Sequence, residues 1–252
     1  EARFGRKHLI ARSGVQLMHH LAGDHTTLEV MQQELQEQLL GRGAELGEAV
    51  EFREFVARAR WGMKEGAGEE FFRQQLADVT ECTSAFGLSD VKGDGREVSE
   101  ARQVLAKELS ARLREASRRA GVSVASVCHV AWAQVLSRVS GRADVVFGTV
   151  LMGRMGGEAG SERVMGLFMN TLPMRVKIDG RSVREGVRQT HRALAALLEH
   201  EHTPLTVAQR ASGVKTPTPL FTTLLNYRHG MAGGAARQER TWEGIEFLGS
   251  EE

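Results

Sequence analysis

The stretch Asp144-Val145-Val146-Phe147-Gly148-Thr149-Val150-Leu151-Met152 is apolar at nearly every position and lacks the in-out alternation of a strand with one wet face. A strand of that kind has to be covered on both sides, which helices packed on a sheet provide. Suitable helices flank it. Ser123 is placed to cap a helix running to Ser140, in which Val127, Val130, Ala131, Val135 and Val139 are apolar and Trp132 and Leu136 widen the stripe. That helix is expected to be largely buried. Ser182 to His200 reads as another helix, set between a second strand, Leu167 to Ile178, and a third, Pro219 to Tyr227. The fold class is therefore α/β, with helices around a mixed sheet.

Upstream, Val15 to His20 is a short alternating run suited to a strand that ends on two histidines. Thr26 and Glu29 have the Thr-x-x-Glu spacing of a capping box, Leu28, Met31, Leu35 and Leu39 recur on one helical face, and Gly41 supplies the stop. His19 to His25 are thus expected on a strand-to-helix turn. A short aromatic helix follows over Glu51 to Trp61, and the glycines of Trp61 to Gly68 make that segment the best linker and lobe boundary. Val104 to Ala120 reads as an Arg-rich amphipathic helix with Leu105, Leu109 and Leu113 on one side and Gly121 as terminator. Gly230 to Ala236 reads as a Gly/Ala-rich loop.

Composition narrows the function classes. Lys plus Arg number 33 against 32 for Asp plus Glu in 252 residues, so net charge makes no case for nucleic acid or an anionic membrane as partner. No run approaches the roughly 20 apolar residues of a membrane span. Cys82 and Cys128 have neither metal-ligand spacing nor the density of a disulfide framework, and are read as reduced thiols of a cytoplasmic protein. The start at Glu1, without an initiator Met, reads as that of an excised piece.

The densest cluster of reactive side chains is His19-His20-Leu21-Ala22-Gly23-Asp24-His25. A histidine at such a turn can present one ring nitrogen to a substrate while the other is held, acting near neutral pH as a base or as an amine-positioning group. Three imidazoles and a carboxylate could instead hold a metal, but adjacent side chains rarely converge on one ion. A solvated polar turn is the bland alternative. His200-Glu201-His202-Thr203-Pro204 lacks the second ligand of a zinc-protease helix, since that position is proline.

Met18-His19-His20-Leu21-Ala22-Gly23-Asp24 matches the His-His-x-x-x-Asp motif of condensation domains from nonribosomal peptide synthetases, and the chain resembles that family at further points in the same order. These are Phe52-Arg53-Glu54-Phe55, the strand and Gly-Arg turn ending at Gly153-Arg154, and Met165-Gly166-Leu167-Phe168-Met169-Asn170-Thr171-Leu172-Pro173. His200-Glu201-His202-Thr203-Pro204-Leu205 and Pro219-Leu220-Phe221 complete the series. The resemblance implies a chloramphenicol acetyltransferase-like fold of two lobes with a tunnel between them. Residues 1–66 would end the first lobe and carry the histidine motif, and 67–252 would form most of the second. The opening part of the domain and its last strands would be lacking.

By the same resemblance His20 is the catalytic residue, orienting or deprotonating an acceptor amine, while His19 is structural. Asp24 pairs with Arg154 and braces the loop. His25 stands where the family usually has glycine and is a candidate tunnel-lining residue, as is Asn226. The implied reaction is amide-bond formation between a donor acyl or peptidyl thioester and an acceptor aminoacyl thioester. Both would be carried on the phosphopantetheine of carrier proteins, with no cofactor or metal bound by the domain. The implied partners are upstream and downstream peptidyl carrier domains and an adjacent adenylation domain. Two rivals stand: an epimerization domain of the same fold, against which Asn170-Thr171-Leu172-Pro173 weighs, and an inactive platform that docks carrier proteins or tailoring enzymes.

Overall fold

In the computed structural model, which describes residues 17–19, 21–64, 66–89, 93, 98–154 and 163–228, the apolar run forms strand β1, Asp144–Leu151. Val145, Val146 and Phe147 are buried in succession, as a strand covered on both faces requires. β1 pairs antiparallel with β2, Asn170–Lys177, from Asp144 opposite Lys177 to Leu151 opposite Asn170. On its other side β1 pairs in parallel with β3, which is only Leu224–Leu225, so the sheet is mixed and its order is β2-β1-β3. Pro173 is tolerated inside β2 because β2 has no second neighbour among the described residues.

Helices α1 (His25–Leu39), α2 (Phe52–Lys64) and α3 (Ala67–Leu76) precede the sheet, followed by α4 (Lys107–Ala120) and α5 (Val124–Ser140); α6 (Val183–Leu198) and α7 (Leu205–Arg210) lie between β2 and β3. Phe72 and Leu76 of α3, Leu136 of α5 and Leu197 of α6 close on β1 and β2 to form the core. Ser123 caps α5 by accepting from Ser126 N–H, and Ser182 and Glu185 form a complete capping box on α6. Among the described residues no single helix is long and apolar enough to cross a membrane.

Several expectations are corrected. Helix α1 is capped by Asp24, whose carboxylate accepts from Thr27 N–H, and not by a Thr26–Glu29 box; Glu29 instead lies 3.5 Å from His25 Nε2. Leu17 to His19 form no strand, and the rest of that run lies outside the described residues, as does Gly230 to Ala236. The 61–68 segment is helical on both sides of Gly66, which adopts φ 72° ahead of α3. Leu35 and Leu39 are exposed on α1, and Leu105 and Leu109 are exposed around the start of α4. The third strand shrinks because residues before it bond elsewhere: Thr83 N–H donates to Leu220 O and Thr222 N–H to Thr83 O.

The buried face of α5 is also rotated from the expected one. Ser126, His129, Ala133 and Leu136 face inward, whereas Ala131 and Val135 are exposed. Polar residues can occupy that face because each has a partner: Ser126 Oγ lies 3.1 Å from His191 Nδ1, and His129 lies between Ala125 O and Thr149 Oγ1, 2.7 Å from each. Ala125 O can only accept, so His129 Nδ1 carries the proton and Nε2 accepts from Thr149.

Burial, opposed by the Ala125 bond, holds His129 below the usual imidazole range. The unfolded chain therefore takes up the proton first. Stability is complete above the ordinary value and falls as pH drops from it toward the depressed folded value. Wild type is expected to lose stability below about pH 6.5, at up to about 1.4 kcal/mol per pH unit. His129→Gln should flatten that slope, leaving a part to His202, which burial also lowers. Denaturant midpoints measured across that range check it.

Candidate active site

The turn that carries the histidine motif is closed by Ala22 N–H donating to His19 O at 2.8 Å. His19 itself is exposed, and its Nδ1 accepts from Leu21 N–H at 3.1 Å, which fixes the ring against its own backbone. Asp24 then ends the turn as the α1 cap and is fully buried. A carboxylate suits that position, since it faces free N–H groups at a helix start.

Arg154, 130 positions away, reaches the same carboxylate: its Nη2 lies 2.9 Å from Asp24 Oδ1 and 3.1 Å from Oδ2, and its Nε lies 3.3 Å from Oδ2. Phe168 N–H also donates to Oδ2, at 3.3 Å. Burial by itself raises the Asp24 carboxyl. The Arg154 hydrogen bonds, Thr27 N–H, the Arg154 charge and Phe168 N–H together bring it below the usual carboxylate value. Arg154 is held in turn by Nη1 donating to Val164 O at 2.9 Å, and its guanidinium carbon stands 3.8 Å above the centre of the Phe168 ring.

Gly153 makes the arginine's approach feasible. Its φ of +66° suits glycine, and a Cβ there would collide with the Phe168 carbonyl oxygen. Gly153→Ala should therefore cost about 1–3 kcal/mol of stability. A denaturant-unfolding midpoint checks this, and an unchanged midpoint would contradict the tight approach.

Around this ion pair the other motif segments interlock. Phe55 of α2 packs on Phe168 with ring centroids 4.3 Å apart and on His202 at 4.7 Å, while a Cβ on Gly166 would strike the Phe52 ring. Asn170 donates from Nδ2 to both Glu201 O and Thr203 O at 2.8 Å, so it secures the 200–204 segment. Such bonds satisfy backbone groups that would otherwise be buried without partners.

His25 is half-buried beside Glu29, and Asn226 is exposed just beyond β3 without a hydrogen bond to the Asp24 cluster. His20 lies outside the described residues. The structure thus brings Asp24 and Arg154 together and leaves Asn226 apart. Thr27 was not singled out from the sequence, although it is the one buried residue of α1. Its only signal is its place three positions after the capping aspartate. Among the described residues no three His, Cys, Asp or Glu side chains converge as metal ligands would.

Comparison with known proteins places this arrangement. The condensation-domain family model matches residues 13–246. Malpinin synthetase of Mortierella alpina is 51% identical over 235 residues, 93% of this chain and 3% of the synthetase. A linear gramicidin synthase of Brevibacillus parabrevis is 36% identical over 181 residues, 69% of this chain and 2% of that synthase. Among solved structures, SgcC5 of Streptomyces globisporus matches at TM-score 0.59 with 25% identity, covering 77% of this chain and 47% of that one. The first condensation domain of the CDA synthetase matches at TM-score 0.61 with 23% identity, covering 82% and 46%, and supports the fold alone. The chain spans about half the length of these solved chains and a few per cent of the curated synthetases.

Proposed function

From the premise that this chain belongs to the condensation-domain family of nonribosomal peptide synthetases, with its chloramphenicol acetyltransferase-like fold, we propose that the complete domain forms an amide bond between two carrier-bound thioesters. The supporting observation is the buried Asp24–Arg154 pair at the foot of the histidine turn, around which the motif segments interlock.

In this reading the acceptor amine attacks the donor thioester carbonyl. The new C–N bond forms, the C–S bond breaks, the amine loses a proton and the donor carrier leaves as its thiol. His20 orients or deprotonates the amine. Asp24 and Arg154 hold the turn and do no chemistry, His19 is structural, and His25 and Asn226 line the approach. Residues 1–66 end one lobe, residues 67–252 belong to the other, and substrate enters between them.

Both substrates ride on phosphopantetheine arms of upstream and downstream carrier domains, next to an adenylation domain in a cytoplasmic synthetase. Holding the two arms head to head makes the aminolysis effectively intramolecular, which can lower a barrier by about 7–11 kcal/mol when alignment is ideal. The domain's own contribution is then positioning plus one acid-base group.

The test loads two carrier proteins with defined thioesters, mixes them with the complete domain, and follows dipeptidyl product by mass spectrometry. Product is the expected result. A single loaded carrier in deuterated water distinguishes the epimerization reading: deuterium at the α-carbon without dipeptide would establish it. Neither product nor exchange, with carriers still bound, would leave the docking platform.

A further inference from the structure

We propose that Thr27 is a positioning residue for the histidine turn, an inference that rests on the condensation reading and goes beyond the motif residues. Thr27 is 4% exposed and works in two directions at once. Towards the turn, its N–H donates to Asp24 Oδ1 at 3.0 Å, and its side chain lies where a Cβ on Gly23 would meet it, 2.7 Å from Cγ2. Gly23 therefore rests directly on the threonine.

Towards the 163–168 segment, Thr27 Oγ1 accepts from Gly166 N–H at 3.0 Å, and its hydroxyl proton has two acceptors, Gly166 O at 3.0 Å and Asp24 Oδ1 at 3.1 Å. One hydroxyl thus ties α1 to a backbone 139 positions away. Gly166 O also lies 3.5 Å from Arg154 Nη2, so the threonine and the arginine grip neighbouring points of the same segment. Arg154 supplies charge to Asp24 at the end of the turn. Thr27 supplies the surface on which Gly23 sits, and so sets where that end of the turn stands relative to the 163–168 segment.

The placement of a reacting group matters steeply: a misplacement of about 1 Å can cost about 10²-fold in rate. In the complete domain, with both carriers loaded, Thr27→Val keeps the methyl shape but removes the bond to Gly166. It should lower kcat by about 10–10²-fold while KM for the acceptor carrier stays unchanged. Thr27→Ser keeps the hydroxyl and should recover most of the wild-type kcat. Rates are read well below each variant's melting temperature, and Thr27→Ala replaces the valine variant if that one melts near the assay temperature.

His20→Ala run alongside separates the two ideas. A Thr27→Val or Thr27→Ala domain that merely melts earlier and keeps wild-type kcat, beside an inactive His20→Ala domain, overturns the role of Thr27 and leaves the condensation reading standing. A serine variant as slow as the valine variant likewise overturns the hydroxyl's role. His20→Ala with wild-type activity removes His20 from the chemistry and overturns the role of Thr27 in placing it, while the product formed leaves the condensation reading standing.

Discussion

His20→Ala in the complete domain is expected to lower the rate of dipeptide formation by about 10²–10⁴, the usual loss when one positioned acid-base group is removed. His20 is the residue of the cluster to which the family resemblance gives a contact with the reacting amine. Its neighbour is spoken for: His19 Nδ1 accepts from Leu21 N–H and its carbonyl closes the turn with Ala22. His19→Ala should therefore act through stability, lowering the melting temperature more than the rate per folded molecule. Carrier binding should survive His20→Ala, because the substitution removes one imidazole and leaves the rest of the domain's surface unchanged. Loaded-carrier assays with melting curves on each variant decide it. A well-folded His20→Ala domain that makes product at the wild-type rate would remove His20 from the chemistry.

Strand β1 was readable in the sequence because its burial on both faces writes itself as an unbroken apolar run. The α5 and α6 starts were readable because Ser123 and Ser182 bond within three residues of themselves. What the sequence did not disclose depends on partners far along the chain. The inward face of α5 carries Ser126 and His129, which a hydrophobic stripe excludes, and they are admitted by His191 and Thr149 at separations of 65 and 20 residues.

The same reasoning applies to the α1 cap. Thr26 and Asp24 are both good capping residues, and local spacing favoured the threonine through Glu29. Asp24 takes the position because its remaining oxygen sites are filled by Arg154 and Phe168 N–H, at separations of 130 and 144 residues. The Asp24–Arg154 pairing itself was legible only through the family motifs. Thr27 belongs to no motif, and its double grip on Asp24 and the Gly166 backbone exists only in the folded chain.

Arg154→Met in the complete domain is expected to cost about 3–5 kcal/mol near neutral pH, because it removes the partner of a fully buried carboxylate while keeping an unbranched apolar stem. In wild type the folded Asp24 carboxyl titrates below its ordinary value. Its contribution is therefore complete above that ordinary value and is lost as pH falls through the depressed folded one. In the variant the Arg154 hydrogen bonds and charge are gone, so burial is opposed by fewer groups and the folded carboxyl binds its proton more readily than in wild type. The variant therefore loses less stability at this site than wild type does as pH is lowered. The gap to wild type should narrow as pH falls from about 7 through the carboxylate range. Adding Asp24→Asn to Arg154→Met should recover part of the loss at neutral pH, since the double variant buries no unpaired charge. Denaturant unfolding of wild type, Arg154→Met and the double variant across that pH range measures all of this. If the Arg154→Met deficit is independent of pH and Asp24→Asn recovers nothing, the arginine acts through its packing on Phe168 rather than through the carboxylate. Because the pair holds the turn, an inactive Asp24 variant is informative about chemistry only when its fold is shown to be intact.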